Sequence, residues 1–446
     1  MGKELPKNWV LPKLKQIVKY QKGKKPKILS EVEFEGSVPY LDIRAFEKDE
    51  IRRYADKESS TLIEKDEIGI VWDGARSGWV SKNKKGAVGS TIAILKPQIV
   101  SSELLYRFLE SKFDYLNTNT RGIGIPHVDP TVLWDLDFPL PPLPEQTRIV
   151  AKLDQLFGQL EQINESLDKI PQLLKDFRQQ VLTQAVTGKL TEEWREGRNL
   201  DKWSPSLLGK CCKITMGQSP PGSTYNDIGE GVPLINGPVE FGGIDPFSKT
   251  KKVKFTTKPT KFCELNDLLI CVRGSTTGRI NISGFRACIG RGVAAIKAEK
   301  VLQDYVNVFM RLQYAKILSM GTGSTFPSIS GDFLKKYEIS IPPQLEQQEI
   351  IKRVESLFVK ADAIEQQYQT LKQKIDNLPQ AILHKAFKGE LVPQLESDGD
   401  ARELLEEIEG LRKQSLKPKG KKSKTYKVED EMLGRVAEDS VNYKKE

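Results

Sequence analysis

The 446-residue chain carries 69 Lys and Arg against 60 Asp and Glu, a net charge of +9, with 38% hydrophobic and 29% charged residues. That balance suits a soluble multidomain protein with long solvated helices and fits a polyanionic partner. No apolar run approaches the ~20 residues of a membrane span, so no membrane partner is expected. The polar opening "MGKELPKNWVLPKLKQIV" has no signal-peptide core, which points to the cytoplasm.

The first domain is expected over residues 1–144. It opens on a basic loop, "KYQKGKKPK", whose Lys19, Lys22, Lys24 and Lys25 suit phosphates. "DEIGIVWDG" and "GSTIAILKP" read as strands, and "SSELLYRFLESKF" as a helix. Between the strands, "DGARSGWVSKNKK" offers Arg76, Lys82, Asn83 and Lys84. Arg121, beyond the helix, completes this domain's candidate DNA contacts.

"PLPPLPEQTRIV" at 139–150 reads as a helix start, because proline lacks the amide donor and belongs before or within a first turn. Glu145 then suits the positive end of the helix dipole. Over 145–190 the apolar positions are Ile149, Leu153, Leu156, Leu160, Ile163 and Leu167, continuing through Ile170, Leu174, Phe177 and Val181. Their steps alternate four and three, which is the seam of a coiled coil.

A second domain is expected over 191–344. "KITMGQSPPGSTYN" offers Gln218, Ser219, Tyr225 and Asn226. "NDLLICVRGS" and "RGVAAIKA" read as strands and "DYVNVFMRLQYAK" as a helix. The stretch "RGSTTGRINISGFRACIGRG" presents Arg273, Arg279, Arg286 and Arg291. Arginine matches guanine bidentately, and Asn or Gln matches adenine, so both loop sets have the composition of base contacts.

A second helix, over 345–392, follows "SIPPQLEQQEII" and repeats the seam in the same phase: Ile350, Val354, Leu357, Ala361, Ile364, Tyr368, Leu371 and Ile375. Residues 393–446 form a tail, expected to be partly disordered around the lysine run at 417–427.

The two halves are a tandem repeat at an offset of 201 residues: Glu145-Gln146 matches Glu346-Gln347, Phe157 matches Phe358, and "GKL" at 188–190 matches "GEL" at 389–391. Pro171 and Pro379 fall inside the seams at non-equivalent positions, so each helix should kink differently. Only about fifteen residues join helix one to the second domain, so helix two must run back along helix one to pair with it. The expected fold is mixed α/β (α+β): two globular domains joined by two long antiparallel coiled-coil helices with pseudo-two-fold repetition.

Catalytic signatures are thin. The five cysteines form no C-x-x-C pair and read as buried thiols. His127 aligns with Ser328, so the repeat does not need an imidazole there. There is no G-x-x-x-x-G-K-[ST] phosphate loop, and no metal site is expected.

With two divergent domains, two like helices, and "PLPPLPEQTRIVAKLDQLF" matched by "SIPPQLEQQEIIKRVESLF", residues 5 to 395 resemble the specificity subunit of type I restriction–modification systems (the HsdS family). The helix ends "QAVTGKL" and "KAFKGEL" strengthen the likeness. The resemblance implies a non-catalytic subunit whose two target-recognition domains each read one half of a split double-stranded DNA site. It implies that the helices act as a spacer and hold two methyltransferase subunits, so residues from Glu145 and Glu346 onward would be spacer and docking positions. Two restriction or motor subunits would complete the assembly. S-adenosylmethionine, ATP and magnesium would sit on those partners, with no cofactor on this chain. A coiled-coil scaffold whose variable domains bind proteins is the alternative.

Overall fold

The computed structural model of the chain describes residues 5–122, 124–243, 247–320 and 328–415; the lysine run at 417–427 lies outside them. The chain divides into two compact units, residues 1–161 with 375–446, and residues 162–374. Each unit therefore holds one globular domain and a stretch of both long helical segments.

In the first unit, Val18–Lys22, Ile92–Pro97, Ile68–Val71 and Val80–Ser81 lie in that spatial order in an all-antiparallel sheet. A second sheet of five short strands contains one parallel pair, Ser37–Leu41 beside Gly86–Val88. Ser102–Ser111 forms the domain's principal helix, capped by the Ser101 hydroxyl, and its Leu104, Leu105, Phe108 and Leu109 are buried. Phe108 meets Phe138 and Phe387 edge-on at centroid distances of 4.9 and 5.3 Å, an arrangement that satisfies the ring quadrupoles.

The second unit repeats this topology strand for strand. Cys212–Met216, Val293–Ala298, Leu268–Cys271 and Ile280–Ile282 build the four-stranded sheet. Its five-stranded sheet again has one parallel pair, Val232–Ile235 beside Ala287–Ile289. The helix Gln303–Met320 buries Tyr305, Val306 and Met310 in the core. All five cysteines are buried, and burial pushes the Cys271 thiol up to about 12.

The helical segments begin at Leu143 and Gln344 as the proline lead-ins require. The first runs Leu143–Leu167 and resumes as Ile170–Thr187; the second runs Gln344–Asp376 and resumes as Leu378–Phe387. Both restarts carry the proline at the first positions, Pro171 and Pro379, where the missing amide donor is harmless. Gly188 and Gly389, both with positive φ, lie at the ends of these segments. Within the second unit the segments run antiparallel: Arg178 bonds Asp362 and Glu365, each at 2.7 Å, and Lys372 reaches Asn164 at 2.8 Å.

The expected seam needs correction. Ile149 and Leu153 belong to the first domain's core cluster, and Ile350 and Val354 to the second's. Leu160, Leu167 and Ile375 are buried, Leu156 and Leu357 partly so, but Ile163, Ile364 and Leu371 are exposed. A two-helix contact covers only a narrow stripe, and the domains take the apolar positions nearest the helix starts.

Two buried junctions fix each domain to its helix. Trp9 donates its indole N–H to Glu145 at 2.8 Å, and Trp203 donates to Glu346 at 2.9 Å. Beside each glutamate, a buried glutamine accepts from the main chain of the domain, Gln146 from Ser101 and Gln347 from Leu302, and donates to the carbonyl of the first proline of the lead-in pair, Pro141 or Pro342. Thr191 and Arg195, beyond the "GKL" end, add bonds to Glu346 at 2.7 and 3.3 Å. Beyond the "GEL" end, Gln394 reaches Glu145 at 3.1 Å. Both carboxylates are fully buried, so they are internal ties and not the docking positions that the resemblance implied.

Residues 393–415, within the expected tail, pack against the first domain. Asp398 is buried and forms a two-bond pair with Arg148, at 2.6 and 2.7 Å. Ala401 and Ile408, on the helix Ala401–Ser415, enter the first domain's core.

Candidate nucleic-acid interface

The loops that emerge from equivalent sheets carry most of the candidate contacts. In the first domain Lys19 and Lys22 project from the edge strand Val18–Lys22, followed by Lys24 and Lys25. All four are exposed, and none has an ion-pair partner among the described residues. An edge strand bearing unpaired lysines is both protected from sheet-to-sheet association and available to phosphates.

The turn after Ile68–Val71 is rigid. Ser77 Oγ donates to the carbonyls of Gly74 at 2.6 Å and Pro126 at 2.9 Å, while Asn117 ties down the carbonyls of Ala75 and Ser77. Gly78 holds φ +92°, and an added Cβ would lie 2.7 Å from that of Leu116. Arg76 is presented on this turn, exposed and paired with Glu47 at 2.9 Å.

Two of the expected contacts are engaged within the domain. Lys82 is half-buried against Glu103 and over the Tyr106 ring, and burial, aided by the nearby Arg107, pushes its ammonium below the usual lysine range. The Lys84 side chain is 11% exposed and bonded to Asp49. Both ammonium groups are taken up inside the domain, leaving only Asn83 of this trio exposed, at a positive φ. Arg121 is exposed and bonds Asp129 at 2.6 Å and Thr131 at 3.0 Å.

In the second domain Gln218 is exposed, whereas Ser219 holds the amide of Arg291 at 3.1 Å. Tyr225 donates to the carbonyl of Pro220, and Asn226 closes a turn by bonding both the amide and the carbonyl of Glu230. The Asn226 amide thus serves the turn within this chain. Arg286 stacks 3.9 Å from the Phe262 centroid and pairs with Glu264. Arg279 lies near Tyr314, where its positive charge opposes the rise that burial imposes on that hydroxyl. The Arg273 and Arg291 side chains are exposed without hydrogen-bond or ion-pair partners among the described residues.

One pairing escaped the sequence reading. His127 Nδ1 lies 2.7 Å from Asp73 Oδ1, on the rim of the turn that carries Arg76. The repeat placed Ser328 opposite His127, and no spacing rule joins residues 54 apart. Among the described residues no cluster of His, Cys, Asp and Glu could hold a metal ion, and no helix is long and apolar enough to cross a membrane.

The family model described as the type I restriction modification DNA specificity domain matches this chain twice, at residues 6–172 and 201–373. The chain belongs to that family. Each match spans one domain and the helix that follows it. The EcoBI specificity subunit of Escherichia coli is 30% identical over 360 residues, covering 73% of this chain and 74% of the relative. The EcoDI specificity subunit of Escherichia coli is 26% identical, covering 95% and 99%. A crystal structure of the HsdS subunit from Thermoanaerobacter tengcongensis has the same fold, with a TM-score of 0.62 at 24% identity over 87% of this chain and 98% of that one. Specificity subunits are the recognition components of type I systems and not their catalytic ones, and this chain is such a subunit.

Proposed function

We propose that this specificity subunit reads a bipartite double-stranded DNA sequence, one half-site per domain, and docks two methyltransferase subunits that modify it. The observation that carries the reading is the repetition of one topology with different loop chemistry: an edge strand of lysines and a histidine–aspartate pair at the crossing in the first domain, and Arg273 at the equivalent crossing in the second. A shared scaffold with divergent loops is what two separate base sequences require, because phosphate contacts position a protein while base edges specify the site. The buried Trp–Glu junctions support a fixed setting of each domain on its helix.

The helices support the docking half of the proposal. Leu173, Val359, Ile364 and Leu371 are 63%, 67%, 49% and 45% exposed, which leaves apolar surface on the segments of the second unit. Methyltransferase subunits would cover it. They would hold S-adenosylmethionine and flip the target adenine from the stack; ATP and magnesium would belong to motor subunits, within a cytoplasmic complex.

Gel shifts with the chain and its methyltransferase partner test this function. The expected result is tight binding to a subset of duplexes defined by two short sequences at fixed separation. Equal affinity for every duplex would refute it, and capture of proteins by the variable domains would support the scaffold alternative instead.

A further inference from the structure

The turns after Ile68–Val71 and Leu268–Cys271 are built by the same bonds. The Gly78 amide donates to Val71 and the Gly278 amide to Cys271, both at 2.8 Å. Ser77 Oγ closes on the carbonyl of Gly74 at 2.6 Å, and Thr277 Oγ1 closes on that of Gly274 at 2.7 Å. A returning segment then crosses each turn: Val128 N–H donates to the Trp72 carbonyl at 2.8 Å, and Ile329 N–H to that of Val272 at 2.9 Å. The crossing pairs Asp73 with His127 in one domain and Arg273 with Ser328 in the other. The backbone is thus held constant while the two side chains at the crossing change.

Those changes have a hydrogen-bonding meaning. Asp73 Oδ1 faces His127 Nδ1 and accepts from it, so in the neutral ring Nε2 is the nitrogen left as an acceptor. The His127 side chain is 46% exposed and Asp73 only 18%, so Asp73 orients the ring from below. An outward acceptor matches the exocyclic amine of adenine or cytosine. Arg273 is exposed and unpaired among the described residues, unlike Arg286 in the same domain, which is engaged by Glu264 and by Phe262. A free guanidinium matches guanine.

We propose that this crossing is the equivalent base-reading position of the two domains: Arg273 selects guanine in one half-site, and His127, held by Asp73, selects a base with an exocyclic amine in the other. The inference rests on the proposed function and adds to it the residues that discriminate.

The test uses the full chain assembled with its methyltransferase partner, in competition binding against duplexes permuted one base at a time. Arg273→Ala should lose about 10- to 100-fold of its preference at a single position of one half-site. His127→Ala should relax one position of the other half-site, and Asp73→Asn should weaken that same preference less. The double exchange Asp73→Arg with His127→Ser should install a guanine preference there. Base rankings unchanged in the single variants would overturn the inference, as would a uniform loss of affinity with the ranking intact. If the unaltered chain discriminates no duplexes at all, the functional reading itself has failed, a distinguishable result.

Discussion

At the scale of single residues, the buried glutamates bear the greatest cost of change. Glu346 is fully buried and takes bonds from Thr191, Trp203 and Arg195. Glu346→Ala should destabilise the chain by about 3–5 kcal/mol in denaturant titration, because it removes the buried partner of Arg195 and leaves the Thr191 hydroxyl and the Trp203 N–H without their acceptor. Trp203→Phe keeps the ring but loses one charge-assisted bond, and should cost only about 1.5–3 kcal/mol. Asp398 makes a pH-dependent tie. Its bonds from Arg148 hold its carboxyl below the ordinary value, so the tie is at full strength above the usual aspartate range, near pH ~3.9, and is lost as pH falls through the lowered value. Asp398→Asn should therefore loosen residues 393–411 at neutral pH, seen as faster amide exchange there, and remove the acid sensitivity of that segment. None of this was legible beforehand. Glu145 and Glu346 read simply as first-turn charges, because their tryptophan partners lie 136 and 143 residues away.

At the scale of elements, periodicity served well where a pattern is local. The strands, the principal domain helices and both proline restarts follow from alternation, helical period and backbone chemistry. The seam was only half legible, since a stripe of apolar residues does not say what covers it. Ile149 and Ile350 went to the domains, while Ile163 and Ile364 stayed exposed. If those exposed positions seat the methyltransferase, Val359→Asp with Ile364→Asp should abolish co-purification of that partner while leaving the melting temperature of the free chain unchanged. Turn glycines were visible as turns but not as packing constraints. Gly278 holds φ +89°, with an added Cβ only 2.8 Å from the Ile317 carbonyl oxygen, so Gly278→Ala should cost about 1–3 kcal/mol and disturb the Arg273 turn. Thermal denaturation checks the first effect and base discrimination the second. The lysines at 82 and 84 show the converse failure: a basic run in a loop says nothing of the acids that fold against it.

At the scale of the whole molecule, the duplication was plain in the sequence, and the family match falls on the same two blocks. The strand order was not, because it depends on pairings such as Val18 with Pro97 and Leu234 with Cys288, which no local pattern encodes. If each domain reads alone, exchanging residues 1–144 for those of another specificity subunit should change one half-site and leave the other intact. If the helices set the gap, adding one heptad to both should lengthen it by ~10 Å, about three base pairs, with the bases read unchanged. Methylome sequencing of cells that express this chain with its methyltransferase tests the central claim most directly. The account predicts adenine methylation in two short specified sequences separated by a gap of constant length. Methylation of a single uninterrupted site, or of adenines irrespective of sequence, would contradict it.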